Sequence, residues 1–233
     1  VYDTMECIKA EDPPAGYPRI EFDQAFRIHT EGAPLAGQFS CAAADVRERI
    51  KYNNHEAVHP HQAAIREKFV EEEGQSFHIM LPRFLAMFLF GLFVSPITWA
   101  MRHGKGRLCV DSSSRLHAGD SGAPNDAIPK PGLDGREDEC PAIYYATAFL
   151  RHIKQIWNLR ISHPTADILQ YCDDIKAAFR RVLYHPDLAI VFAYVFQEFL
   201  IIPVGFIFGG RSSPSFWCTL AELRAHLASV SRG

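Results

Sequence analysis

The chain has 233 residues, 48% of them hydrophobic and 22% charged, which excludes general disorder and is enough to bury a core without disulfide or metal staples. A formal net charge of −3 excludes a wholly basic nucleic-acid coat, so any nucleic-acid contact must come from local patches. The cysteines at 7, 41, 109, 140, 172 and 218 form no C-x-x-C pair, which leaves zinc ribbons and dithiol redox motifs unsupported and makes a reducing, intracellular compartment the default.

Residues 1–40 are punctuated by Pro and Gly without a sustained period and read as a loosely ordered arm with no signal peptide. Residues 42–54 and 60–73 have helical composition. Ala57, Ile65 and Phe69 can share one face, and Pro60 suits a first helical turn. Glu71-Glu72-Glu73, before Gly74, reads as a solvated helix end, where the macrodipole disfavours negative charge. His55, His59 and His61 match no metal-binding spacing and are given no ligand role. The apolar run 84–94 is too short to span a membrane.

Across 97–111 two short apolar runs flank His103-Gly104-Lys105-Gly106, which predicts a hairpin. Residues 112–141 are rich in Ser, Gly, Asp and Pro and read as a long loop. Ile143, Ala146, Phe149, Leu150, Ile153, Ile156 and Trp157 then recur at three and four, the pattern of an amphipathic helix, and Pro164 stops it. Residues 188–208 are long enough to span a bilayer on count alone. Gln197-Glu198 interrupts the run, and a charge at the bilayer centre costs on the order of 3 kcal/mol. The run is also rich in Val, Ile, Phe and Tyr. Two strands are therefore predicted, at 190–196 and 199–203, with Gln197-Glu198 as the turn. Residues 216–227 read as a helix.

Asp173-Asp174 is an adjacent carboxylate pair. At a strand end such a pair can hold a hard divalent cation, and phosphoryl transfer uses such cations to clamp the attacking and leaving oxygens. The segment continues Ile175-Lys176-Ala177-Ala178-Phe179, then His185-Pro186-Asp187, then Phe199-Leu200-Ile201-Ile202-Pro203-Val204-Gly205-Phe206, then Ser213-Pro214-Ser215-Phe216. Upstream lies Arg102-His103-Gly104-Lys105-Gly106-Arg107-Leu108-Cys109-Val110-Asp111, and between them Asn125-Asp126-Ala127-Ile128-Pro129. Over residues 80–227 this order of parts resembles the reverse transcriptases of retrotransposons. Asp174 through Phe179 would be their Asp-hydrophobic-x-x-(Ala/Gly)-aromatic motif, Pro203-Val204-Gly205 their Pro-x-Gly turn, and residues 102–111 their fingers hairpin. Tyr171-Cys172-Asp173-Asp174 also spells the family's later Tyr-x-Asp-Asp element. The Pro-x-Gly motif would then have to lie upstream, where nothing fits, so the first-motif reading is preferred.

The resemblance implies an α+β fold: a partial right-hand polymerase, fingers plus incomplete palm, over residues 76–233. A mostly helical, partly disordered N-terminal extension would occupy 1–75. Asp174 would ligate magnesium, or manganese in its place, together with the backbone carbonyl of Ile175. Arg102, Lys105 and Arg107 would grip a triphosphate; guanidinium suits bidentate phosphate recognition and ammonium acts as a point charge. Phe179 would lie under the incoming sugar and exclude a 2′-hydroxyl. Gly205 would let the backbone approach the nascent base pair. Asp173 would be a structural neighbour, and Arg180 and Arg181 receive no role. The implied activity is RNA-directed DNA polymerase, a nucleotidyltransferase, with a primed RNA or DNA template and deoxynucleoside triphosphates as partners and no membrane. The sequence sets no oligomeric state.

Two departures from the family pattern bear on this. Pro214 follows Gly205 at a greater distance than the family places it, with Ile207-Phe208-Gly209-Gly210-Arg211 between. No Tyr-x-Asp-Asp follows before Gly233, so the chain is expected to be inactive alone. The alternative is a non-catalytic interaction protein or domesticated retroelement remnant. An antiparallel hairpin over 190–203 beside a strand ending at Asp174 favours the polymerase reading, and one long helix over 188–208 favours the alternative, an interaction or membrane role.

Overall fold

The computed structural model describes residues 12–34, 43–116, 122–132, 140–143, 146–169 and 175–230. In chain order these form α1 (Arg19–Glu31), α2 (Ala43–Tyr52), a 3-10 turn (Glu56–His61), α3 (Gln62–Glu73), β1 (His78–Pro82) and a second 3-10 turn (Arg83–Phe88). β2 (Val94–Ser95), β3 (Ile97–Arg102), β4 (Lys105–Val110), α4 (Pro124–Ala127) and α5 (Ala146–Ser162) follow. The chain continues with a 3-10 turn (Phe179–Arg181), α6 (Pro186–Ala189), another 3-10 turn (Ile190–Phe192), β5 (Ala193–Phe196), β6 (Phe199–Pro203) and α7 (Ser213–Val230). The architecture is mixed α+β.

Residues 188–208 are not one helix. β5 and β6 form an antiparallel hairpin pairing Tyr194 with Ile201, Val195 with Leu200 and Phe196 with Phe199. Gln197, at φ 54°, takes the turn. The two β5 faces enter different cores: Tyr194 and Phe196 join one, Ala193 and Val195 the other. Burial on both faces explains an apolar run that does not alternate. The strand begins later than expected, because Ile190–Phe192 is a 3-10 turn.

β1 pairs antiparallel with β6, and β2 pairs parallel with β5, so the sheet order is β1-β6-β5-β2. α3 covers one face. Its Phe69 ring stacks on Tyr194 at 5.9 Å and meets Phe196 edge-on at 5.3 Å. Each such fully buried side chain contributes roughly 1.5–3 kcal/mol relative to exposure. The other face packs Val46 and Ile50 of α2 against Leu81, Val195 and Leu200. α3, on the N-terminal side of the boundary expected at residue 75, thus shares a core with the hairpin.

The predicted hairpin at 97–111 forms a separate two-stranded sheet, β3 with β4. His103 and Gly104 both have positive φ, at 50° and 74°, the pair of left-handed residues that a tight hairpin turn requires.

The N-terminal arm was expected to be loosely ordered, but residues 19–31 are helical. Phe22 and Ala25 of α1 bury against Leu223 of α7. Only that narrow apolar strip marks the helix among charged neighbours. α5 forms where predicted, yet Phe149, Leu150, Ile153 and Trp157 are exposed, so its apolar face is uncovered by the described residues. Among the described residues no helix is long and apolar enough to cross a membrane.

Candidate functional site

A cleft of about 420 Å³ opens where three distant segments meet. β4 contributes Arg107 and Leu108. α3 contributes Lys68, Glu71 and Glu72. The segment after the carboxylate pair contributes Ile175 through Arg180, and Phe208 closes the wall.

Residues 175–181 are not a strand. They form a turn followed by the 3-10 helix. Ala177 sits at φ 57°, a left-handed conformation that costs a residue with a Cβ roughly 1–2 kcal/mol. Arg181 Nε donates to the Lys176 carbonyl at 3.1 Å and holds the turn closed. The reversal lets both Ile175 and Phe179 line the cleft. Phe179 is half-buried, and its ring centroid lies 5.1 Å from that of Phe208.

A buried ion cluster lies beneath this turn. The Glu72 carboxylate meets Arg180 Nη2 at 3.0 Å and Lys68 Nζ at 3.0 Å. Burial alone would push the Glu72 carboxyl up. The His78 ring, with Nδ1 3.7 Å from the carboxylate, and the charges of Arg180 and Lys68 outweigh it and hold the group at about 2. The expectation of a solvated Glu71-Glu72-Glu73 end is therefore corrected at Glu72, which is 4% exposed. It lies on the same helix face as Ile65 and Phe69, at spacings of four and three, so it continues the buried stripe. That spacing was the available signal for it. Arg180, given no role from the sequence, is its partner.

The remaining cations are unequally occupied. Lys176 Nζ is bound to Glu71 Oε1 at 2.6 Å. The hydrogen bond and charge of Lys176 hold the Glu71 carboxyl below its usual range. Arg107 has no ion-pair partner among the described residues and lines the cleft. It is the group there most available to an anion.

Arg107, Ile175 and Phe179, three of the residues expected at the site, are thus brought together. Arg102 and Lys105 pair across the exposed hairpin tip and do not line the cleft. Gly205 does not line it either. It is buried and bridges to Leu183 behind the Phe179–Arg181 turn, where a Cβ would stand 1.9 Å from the Arg180 carbonyl oxygen. Its glycine is explained by that close approach of two backbones. Asp174 and Asp173 lie outside the described residues. Ile175, the other expected metal ligand, borders the cleft, and among the described residues no group of three or more His, Cys, Asp or Glu side chains could hold a metal ion.

A larger depression of about 950 Å³ is lined by Ile50, Pro82, Phe84, Met87 and Phe199. Its one cation, Arg83, is committed to the carbonyls of Gln197 and Ile50 at 3.3 and 2.9 Å. It offers a ligand apolar area and little else.

Comparison with protein-family models finds no match. Comparison with curated proteins finds none either. Among solved structures, a foamy viral protease-reverse transcriptase in complex with double-stranded DNA shares 12% identity at a TM-score of 0.40, over 99% of this chain and 35% of that one. The chain thus spans about a third of that structure's length. A likeness this slight bears neither on the fold nor on the chemistry.

Proposed function

We propose that the chain is a fingers and first-palm segment of an RNA-directed DNA polymerase of retrotransposon type, acting inside the cell. Its cleft takes the incoming deoxynucleoside triphosphate opposite a primed template. One observation carries this reading: Arg107 of the hairpin, Ile175, and Phe179 line a single cleft although they are far apart in sequence. The β5–β6 hairpin excludes the single long helix that the competing reading required; the strands described beside it are β1 and β2, and the strand expected to end at Asp174 falls outside the described residues.

In this reading Arg107 binds the triphosphate through its guanidinium fork. Phe179 lies under the sugar, where a 2′-hydroxyl would meet its ring. Asp174 and the Ile175 carbonyl would hold magnesium or manganese, which neutralises charge on the reacting phosphates when bound. The primer 3′-hydroxyl gives up its proton to solvent as its oxygen forms a bond to the α-phosphorus, the bond from that phosphorus to the β-phosphate bridge breaks, and pyrophosphate leaves. The chain's own contribution is positioning and charge neutralisation. Arg102 and Lys105, at the hairpin tip, would meet the triphosphate only if the tip folds over the cleft, as a closing finger does.

Photoaffinity labelling with an azido-deoxyadenosine triphosphate, followed by peptide mapping, tests the assignment. Label is expected on peptides containing residues 105–110 and 175–181 and is competed by unlabelled deoxynucleotide. Label confined to other surfaces would refute it. The second reading, a non-catalytic interaction module, draws on the uncovered apolar face of α5.

A further inference from the structure

We propose that Phe208 is a specificity-determining residue of the cleft, the second aromatic wall, which contacts the nucleoside part of a bound nucleotide. This rests on the nucleotide reading of the cleft and goes beyond it, since it assigns recognition of the planar ring to a residue outside every motif considered above.

Phe206 and Ile207, its neighbours, are fully buried, whereas Phe208 is 37% exposed and faces the cleft. A ring placed only to fill the core would be covered like them. Instead its partner is Phe179, with the planes inclined at 58°. The two rings leave an apolar wall in the cleft that Arg107 also lines, a combination that suits a planar ring carrying an anionic chain.

The backbone that carries the ring is held in place from both sides. Val110 N donates to the Phe208 carbonyl at 2.8 Å. Asn125, buried, donates Nδ2 to the Gly209 carbonyl at 2.8 Å and accepts from Arg211 N through Oδ1 at 2.8 Å. Arg211 Nη1 reaches the Ile128 carbonyl at 3.1 Å. Gly209, at φ +112°, passes so close to β4 that a Cβ would stand 1.8 Å from the Val110 carbonyl oxygen. The loop is thus fastened to the base of the hairpin that carries Arg107, and the backbone at Phe208 is fixed relative to β4.

The test compares dATP with inorganic tripolyphosphate, each with magnesium, by calorimetry on the full chain. The wild type is expected to bind both. Phe208→Ala should weaken dATP by about tenfold, the size of one lost base–aromatic contact, and leave tripolyphosphate unchanged. Phe208→Trp should restore dATP affinity, and Phe208→Leu, apolar but without a π face, should not. If Phe208→Ala changes neither ligand, or weakens both equally, the assignment to Phe208 is overturned while the cleft reading stands. If the wild type binds tripolyphosphate and dATP equally well, the nucleoside contact is likewise overturned. If it binds neither, the nucleotide reading falls and takes this inference with it.

Discussion

The Glu72 carboxylate meets the Arg180 guanidinium at 3.0 Å, directly beneath the turn that carries Phe179. The pair joins α3 to the cleft floor, and both side chains are almost fully buried. Removing one partner leaves the other charged and unpaired in the interior, which costs about 3–5 kcal/mol, while replacing both by apolar residues is often neutral. Glu72→Ala should therefore lose roughly that much stability in urea unfolding. The double variant Glu72→Met with Arg180→Met should lie nearer the wild type than Glu72→Ala does. Equal stability of Glu72→Ala and wild type would show the pair to be idle.

The same carboxylate sets an acid limit. Its folded-state value of about 2 lies below the ordinary 4.5. A group depressed by folding contributes stability that is complete above its unfolded value and is lost as pH falls through the folded one. The contribution at stake is roughly 3 kcal/mol, and the window runs from pH 4.5 down to 2. The urea midpoint should fall across that window, and Glu72→Gln should flatten the slope. An unchanged slope in the variant would place the acid sensitivity on other carboxylates.

Gly205 presses against the backbone of Arg180 with no room for a methyl group. Its φ is not in the left-handed region, so the penalty for substitution is steric alone. Gly205→Ala should lower stability by ~1–3 kcal/mol, the range for overpacking a close contact. Thermal unfolding measures it. A melting temperature equal to wild type would mean that the two segments can part freely.

Phe179 is proposed to read the sugar. Replacing it by Val opens space where the ring would meet a 2′-hydroxyl. The preference for dATP over ATP in competition binding should then fall roughly tenfold, the scale on which a pocket senses one small group. An unchanged ratio would leave Phe179 as a core residue only.

Much of this arrangement was legible in the residues. The β3–β4 hairpin announced itself by His103-Gly104 between apolar runs, and the β5–β6 hairpin by Gln197-Glu198 within a β-branched and aromatic stretch. Arg107, Ile175 and Phe179 were singled out because their motifs stand in order along the chain, and all three line one cleft. α1 was missed because its buried strip, Phe22, Ala25 and Ile28, is narrow and set among charges. Phe208 was missed for a different reason. Its position depends on hydrogen bonds from Asn125 and Arg211 to distant carbonyls, and no periodicity encodes such a loop. Gly205 was expected to let the backbone approach a nascent base pair; the group it approaches is instead the Arg180 backbone.

The central claim is that the cleft binds a deoxynucleoside triphosphate through Arg107. Equilibrium titration of the chain with dATP and magnesium, wild type beside Arg107→Ala, tests it most directly. The account predicts saturable binding by the wild type. It predicts a loss of about tenfold or more in the variant, the worth of a charge-assisted hydrogen-bond pair, with the melting temperature unchanged because Arg107 has no ion-pair partner among the described residues. Saturable binding that Arg107→Ala leaves intact, or no binding by the wild type, would contradict it.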